Sequence, residues 1–497
     1  MSSQAGSQAG SQAGSQAGSQ AKADPTPPRG DDGRLLWSRS EELTGFEALM
    51  WRVEADPRMR STVVLVETLD LEPDWDRFVA ATDWASRVVP RFRERIVTPF
   101  LGAGTPHWAL DPDFDLHYHL RRLRLPDGAG REGLFTLAEQ IAMTPLDPSR
   151  PLWEATLVGG LPDGAAALVF KLSHVLSDGM GLAQLLAGLH SRTREPMSDK
   201  PQPPPPSAPP ATLPGELVRQ VRSDLGLVGG AAKGLLGMAA SLIRPDRAVR
   251  DATAYLVSAA RVLSPPPAPP LAVLADRSPS WRFRTLDVPF ADLRAAGKSV
   301  GGSINDAYLA SLLGAFRRYS ARRGDPLPPD RLMPVTLPVS IRREEHEPGG
   351  NHFAPARLSA PVGIVDPGVR VTEVRRRMKV ALAEPALESI EIVSAGLARL
   401  PGAVVARFGG GATRSNDLQA SNIPGLRADA YLAGARIERS YPFAPLPGCA
   451  AMIAMVTHGD TCCVAANLDA ASFADLDGFT QDLADGFGEV LALGARA

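Results

Sequence analysis

Residues 170–181 read FKLSHVLSDGMG. The stretch leading into them, AAALVFKLSH (165–174), is apolar and predicts a β-strand that delivers His174 to its end. Functional groups commonly sit at such element ends. Asp178 follows at four residues and Gly179 at five. Gly179 can take a backbone conformation closed to other residues, which a tight turn would use. Asp178 can hold the loop by accepting backbone N–H groups or by pairing with a distant arginine. One imidazole nitrogen would then be left for a substrate proton, and a neutral histidine titrates near working pH. The pattern is short, and by itself it favours a histidine that merely caps a turn.

Outward from this motif the chain alternates strand and helix. STVVLVETL (61–69) reads as a strand, and DRFVAATDWASRVVPRFRERI (76–96) has helical spacing until Pro90 interrupts it. Further on, WRFRTLDVPF (281–290) and LMPVTLPVSIR (332–342) read as strands. INDAYLASLLGAFRRYSARRG (304–324) reads as a helix closed by Gly324. CAAMIAMVTHG (449–459) and DTCCVAANLD (460–469) form a candidate hairpin through Gly459-Asp460. The class is α/β or α+β. Proline-rich KPQPPPPSAPPATLP (200–214) and SPPPAPP (264–270) are stiff spacers. They divide the chain into a disordered tail (1–33), an N-terminal half (34–199), a crossover (200–280) and a C-terminal half (281–497). The tail repeats Ser-Gln-Ala-Gly from Ser3 to Gly18 and cannot bury apolar area.

A length of 497 residues predicts at least two domains, and 44% hydrophobic with 22% charged residues fits a globular protein. The net charge of −2 gives no electrostatic reason to expect a nucleic-acid partner. The N-terminus has no basic start and no apolar core of a signal peptide. Cys449, Cys462 and Cys463 make no disulfide framework, and reduced thiols fit a cytoplasmic protein. Cys462 and Cys463, adjacent on a strand, should point to opposite faces. One stretch, LGLVGGAAKGLLGMAASLI (225–243), approaches the length of a membrane span. It is rich in Gly and Ala and flanked by Arg219, Arg222, Arg244 and Arg247, so a packed helix is expected first, a membrane-surface helix second and a span last.

No rival centre stands out. The chain has no G-x-S-x-G elbow, no dinucleotide fingerprint and no phosphate-binding loop. Ser173 adjoins His174, and strand neighbours point to opposite faces, so the two make a poor dyad. Direct attack by an acceptor that His174 deprotonates fits better than an acyl-enzyme. His117 and His119 would share a strand face, but two ligands without a third do not make a metal site, and surface histidines are expected. His458 has no partner that the sequence identifies.

SHVLSDG (173–179) resembles the HHxxxDG motif of the wax ester synthase/diacylglycerol acyltransferase family, within the superfamily of chloramphenicol acetyltransferase and condensation domains. PHWALDPDFDLHYHLRRLRLP (106–126), TPLDPSRPLWEATLVGGL (144–161), INDAYLASLLGAFRRY (304–319), PVSIR (338–342), GNHFAPARLSAPVG (350–363) and SNIPGLRADAYLAGARIERSYPFAPL (421–446) resemble that family in the same order. The likeness runs over roughly residues 34–490.

The resemblance implies two chloramphenicol-acetyltransferase-like halves, each a mixed sheet flanked by helices, with a channel between them. It implies transfer of a fatty acyl group from acyl-CoA, as co-substrate and without a cofactor, to a long-chain alcohol or diacylglycerol. His174 would be the general base. Asp178 would hold the loop, with Arg342 as its partner. Asn305 would support the oxyanion, with Asp306 beside it, although an N-terminal helix cap is an equal reading of Asn305. Gly179 would serve the turn. Trp153 and Glu154 read as a buried aromatic and a hydrogen-bonded carboxylate, and Pro424 with Gly425 as a turn over the channel. Ser173 stands where the family often has a first histidine, so the acceptor is in question. Acylation of a specialised metabolite, a carrier-protein donor, and a non-catalytic lipid-binding relative stay open. The family's apolar substrates imply peripheral association with membranes or lipid droplets.

Overall fold

In the computed structural model the described residues are 27–98, 105–198, 200–207, 268–342, 348–383, 394 and 415–495. The segment 225–243 with its flanking arginines and the Ser-Gln-Ala-Gly repeat lie outside them. The first half contains α1 (Gly45–Val53), β1 (Thr62–Leu69), α2 (Trp75–Val88), β2 (Glu94–Val97), β3 (His107–Leu110), α3 (Leu116–His119), β4 (Leu120–Arg124), α4 (Gly130–Met143), β5 (Trp153–Gly159), β6 (Ala166–Ser173) and α5 (Gly179–Leu189). The second contains β7 (Trp281–Pro289), α6 (Phe290–Ser299), α7 (Ile304–Arg322), β8 (Met333–Ser340), β9 (Phe353–Ala360), α8 (Pro367–Leu382), β10 (Leu418–Ile423), β11 (Tyr431–Leu432), β12 (Ala435–Phe443), β13 (Ala451–His458), β14 (Thr461–Asp469) and α9 (Leu476–Gly494).

Two mixed six-stranded sheets carry the fold, ordered β11-β12-β1-β6-β5-β4 and β7-β14-β13-β10-β8-β9. β1 and β6 sit centrally in the first and are buried on both faces, which is why both read as apolar runs and not as alternating strands. One face of this sheet, with Leu65, Leu157 and Phe170, packs against Phe78 of α2 and Leu185 of α5. The other face, with Val66, Val169 and Phe443, meets Phe135 of α4 and the second sheet. Phe283 of β7 stacks on Phe443 of β12 with ring centroids 3.8 Å apart. Cys462 and Cys463 fall into different cores, as alternation on a strand requires. The β13–β14 hairpin turns at Gly459, which has φ +58°. Gly324, at φ +82°, follows the end of α7.

The expected boundaries need three corrections. β11 and β12 belong by sequence to the C-terminal half, yet they complete the N-terminal sheet, with β12 antiparallel to β1. The tail is ordered before residue 34: Arg29 bridges Leu35, and the Leu36 N–H donates to Pro28 O at 2.9 Å. The crossover is packed at both ends. Pro201 O accepts the Trp84 indole N–H at 2.9 Å, and Leu271 and Leu274 are buried in the second core.

Candidate active site

The motif strand ends where two loops meet it. The His174 backbone N–H still donates to Ser61 O at 2.7 Å, so the sheet ladder holds the residue in place. Its ring stands against the edge of the second half. Phe353 of β9 lies 5.4 Å away, centroid to centroid, and is braced by Phe46 of α1 at 5.0 Å.

His174 Nδ1 lies 3.0 Å from Asn351 Oδ1. The Asn351 amide nitrogen is committed elsewhere: it donates to His174 O (2.9 Å), Val175 O (3.2 Å) and Glu47 Oε1 (3.1 Å). The oxygen facing the ring therefore accepts, and Nδ1 must carry the proton. Nε2 is left as the basic nitrogen. Glu47 also accepts the Asn351 backbone N–H at 3.1 Å, so its carboxylate fixes the amide from two sides. Glu47 is itself set by the start of α1, where Thr44 and Glu47 form a reciprocal capping box. Burial raises the Glu47 pKa, opposed by the bond from Thr44, by Asn351 and by the charge of Arg91. Burial also lowers the pKa of His174, with the Asp178 charge acting against it, so the imidazole is neutral at pH 7.

Asp178 does not touch the imidazole. It caps α5, accepting the Gly181 N–H at 2.7 Å through Oδ1. Its Oδ2 accepts the His352 N–H at 2.9 Å and lies 3.5 Å from Arg342 Nη2. Oδ1 thus closes the start of its own helix, and Oδ2 joins this loop to the chain of the other half. Ser177 extends the joint by a parallel bridge to Gly350. Gly179 corrects the expectation of a special backbone conformation. It is the first residue of α5 and has no positive φ, and what it supplies is room, since a Cβ there would come 2.8 Å from Ile423 Cδ1. Gly181 is tighter still, with a Cβ placed 2.1 Å from Ser177 Oγ and 3.1 Å from Gly349 Cα.

Ser173 turns into the protein. Its hydroxyl meets Ser61 Oγ at 3.2 Å, and Ser61 Oγ donates to Glu54 Oε2 at 2.6 Å. Asn305 is not the helix cap: Ser303 caps α7, with Asp306 as the reciprocal acid. Asn305 lies on the exposed first turn, where its Oδ1 accepts from Asn422 Nδ2. Asn422 adjoins Ile423, the residue against Gly179, so Asn305 is tied to the same corner through β10. Pro424 and Gly425 do not close a turn; Gly425 runs against the Thr457 carbonyl, where a Cβ would come 1.9 Å from the oxygen.

His117, His119 and His458 lie on other elements. His117 and His119 fall in the short helix α3, not on a strand, because Asp115 accepts the His117 N–H and starts a helical turn. His119 is buried, stacks on Trp153 at 4.5 Å and uses Nδ1 on Trp153 O at 2.7 Å, so it is no surface histidine. Trp153 is buried and donates to Phe92 O, while Glu154 pairs with Arg121 and Lys171. His458 Nε2 finds Ile437 O at 2.9 Å. Among the described residues no group of three or more His, Cys, Asp or Glu could hold a metal. Asn351, Glu47 and Gly181 were not singled out from the sequence. The T-x-x-E spacing at Thr44–Glu47 is a readable capping signal, but nothing local connects it to His174.

Comparison with known proteins now gives the class. Residues 43–308 match the model of the wax ester synthase/diacylglycerol acyltransferase catalytic domain, and residues 349–490 that of the WS/DGAT C-terminal domain. A "Putative diacyglycerol O-acyltransferase" of Mycobacterium tuberculosis (strain ATCC 25618 / H37Rv) is 41% identical over 93% of this chain and 94% of its own. The wax ester synthase/diacylglycerol acyltransferase from Marinobacter aquaeolei VT8 superposes with a TM-score of 0.59 at 19% identity, covering 91% of this chain and 100% of that one. The first condensation domain of the calcium-dependent antibiotic synthetase gives 0.57 at 16% identity, covering 92% and 97%. The fold is thus the two-domain, chloramphenicol-acetyltransferase-like architecture. The chain belongs to the wax ester synthase/diacylglycerol acyltransferase family and is an O-acyltransferase, with an acyl donor and a hydroxyl acceptor as its substrates.

Proposed function

We propose that this enzyme moves a fatty acyl group from acyl-CoA to a long-chain alcohol or diacylglycerol, making wax ester or triacylglycerol, with His174 as general base. The observation that carries this reading is the bond between His174 Nδ1 and Asn351 Oδ1, which leaves a neutral, basic Nε2. Nε2 takes the acceptor hydroxyl proton as the oxygen attacks the thioester carbonyl. The tetrahedral oxyanion needs a donor. Asn305 suits that part, because its carbonyl oxygen is engaged by Asn422 and its amide N–H groups are what it offers a substrate. Collapse breaks the C–S bond, and the imidazolium returns its proton to the departing thiolate. Ser173 has no place in this sequence, since its hydroxyl is spent on Ser61 and Val175 N.

The test is thiol release by purified enzyme across acyl-CoAs and hydroxyl acceptors, with product masses read out and an acyl-carrier protein as the competing donor. Ester formation from acyl-CoA that disappears in His174→Ala is the expected result. Undiminished turnover by that variant, or ester formed only from the carrier protein, would refute the reading. Contact with a lipid surface is part of the same proposal. Among the described residues no helix is long and apolar enough to cross a membrane. α8 nevertheless exposes Val369, Val380 and Leu382 beside Arg376 and Lys379, a combination suited to an anionic interface. Flotation with anionic liposomes should carry the protein upward, and its absence from the floating fraction counts against that contact.

A further inference from the structure

A cavity of about 320 Å³ lies in the N-terminal half between α2 and the first sheet. Its walls include Phe78, Trp84, Phe92, Trp153, Phe170 and Leu186. The volume is at the lower end of small-molecule sites, roughly 300–1,000 Å³. A space this large among aromatic side chains is unusual, because protein interiors pack to nearly crystalline density.

One polar group in the wall is equally out of place. His190, just past the end of α5, has a side chain only 5% exposed, and its Nε2 lies 3.4 Å from Glu67 Oε2 on β1. Its Nδ1 is buried and has no hydrogen-bond partner. Buried polar atoms are normally paired, so an unpaired nitrogen on a residue of this apolar wall marks a missing partner. The void and the unpaired nitrogen occur together, and one molecule could satisfy both.

We propose that this cavity is a binding site for a single-chain aliphatic molecule with an oxygen head group, a carboxylate or a hydroxyl. The chain fills the aromatic hollow, and the head meets His190 Nδ1. The site is distinct from the catalytic corner. Its lining includes none of Phe46, Asn351 and Phe353, the side chains around the His174 ring. Leu172 on β6 and Leu182 on α5, both buried, occupy the stretch of each element between the cavity and the motif. Two of its lining residues, Ala80 of α2 and Met197, are exposed.

The test is tryptophan quenching by a dibrominated stearate, the corresponding dibrominated fatty alcohol, and a dibrominated alkane of the same length, since Trp84 and Trp153 line the cavity. Saturable quenching by the acid or the alcohol is expected, with the alkane about tenfold weaker or more. Preference between acid and alcohol identifies the head. Ala81→Phe and Leu186→Phe, each with the wild-type circular dichroism spectrum, should weaken binding by about tenfold or more while acyl transfer continues. His174→Ala should bind as the wild type does. Equal binding of the alkane, unchanged binding in both filled variants, or loss of acyl transfer in step with loss of binding would each overturn the proposal.

Discussion

His174 and Asp178 lie close in sequence, so their spacing was legible, and their roles divide cleanly once partners are known. Asp178 spends both oxygens on capping and on the joint to Arg342 and His352, and the imidazole is held instead by Asn351. Asn351 is 177 residues from His174 and 304 from Glu47, so no local pattern could reveal the arrangement. Asn351→Ala should reduce kcat by about a hundredfold with little change in KM, because the base loses its tautomer and orientation while the substrate contacts stay. Steady-state kinetics measure the split. The pH–rate profile supplies a second check. In the proposed mechanism the imidazole acts in its neutral form, and burial lowers its pKa below 6.5. The acid limb of kcat/KM for the wild type should therefore lie below pH 6.5, the ordinary histidine value, and the rate should hold as pH rises through neutrality.

Longer elements were readable from periodicity and short ones were not. The strands Thr62–Leu69, Ala166–Ser173 and Thr461–Asp469 and the helix from Ile304 carry enough apolar residues to declare their type. Four residues, LHYH, do not: the same letters fit a strand face or one helical turn, and the Asp115 side chain decides for the helix. At the start of α5 the two glycines should separate. Gly179→Ala meets only the Ile423 side chain, whereas Gly181→Ala meets Ser177 Oγ and the backbone at Gly349. Gly181→Ala should cost roughly 1–3 kcal/mol and loosen the loop that carries His174, with Gly179→Ala at the low end or below. Denaturant titration of both variants gives the order.

At the scale of the molecule, the two sheets were visible as runs of strands, but their membership was not. The edge of the first sheet is built from residues 431–443, and only pairing with β1 shows it. The second sheet holds the crossover's return through a buried carboxyl. Asp417 accepts the Leu271 N–H at 2.8 Å, with Arg277 3.7 Å away, and burial raises its pKa from 3.8 to about 7. A carboxyl with a raised folded pKa binds more protons folded than unfolded between those values. Its contribution is thus greatest at low pH and is lost as pH rises from 3.8 through about 7. Asp417→Asn keeps the acceptor and removes the titration. Its melting temperature relative to wild type should climb between about pH 5 and about pH 8, which differential scanning fluorimetry can follow.

The exchange of β12 also sets a timetable for synthesis. Asp70, at the end of β1, accepts the N–H of Arg436, 366 residues later. At about 5–20 residues per second the ribosome needs roughly 20–70 s to deliver that partner. Until then β1 presents an open edge, the kind of surface on which nascent chains pair wrongly. A chain ending at Ala430 should accumulate in the insoluble fraction even though it carries the whole SHVLSDG stretch, and chaperone supply should govern the yield of the full-length enzyme.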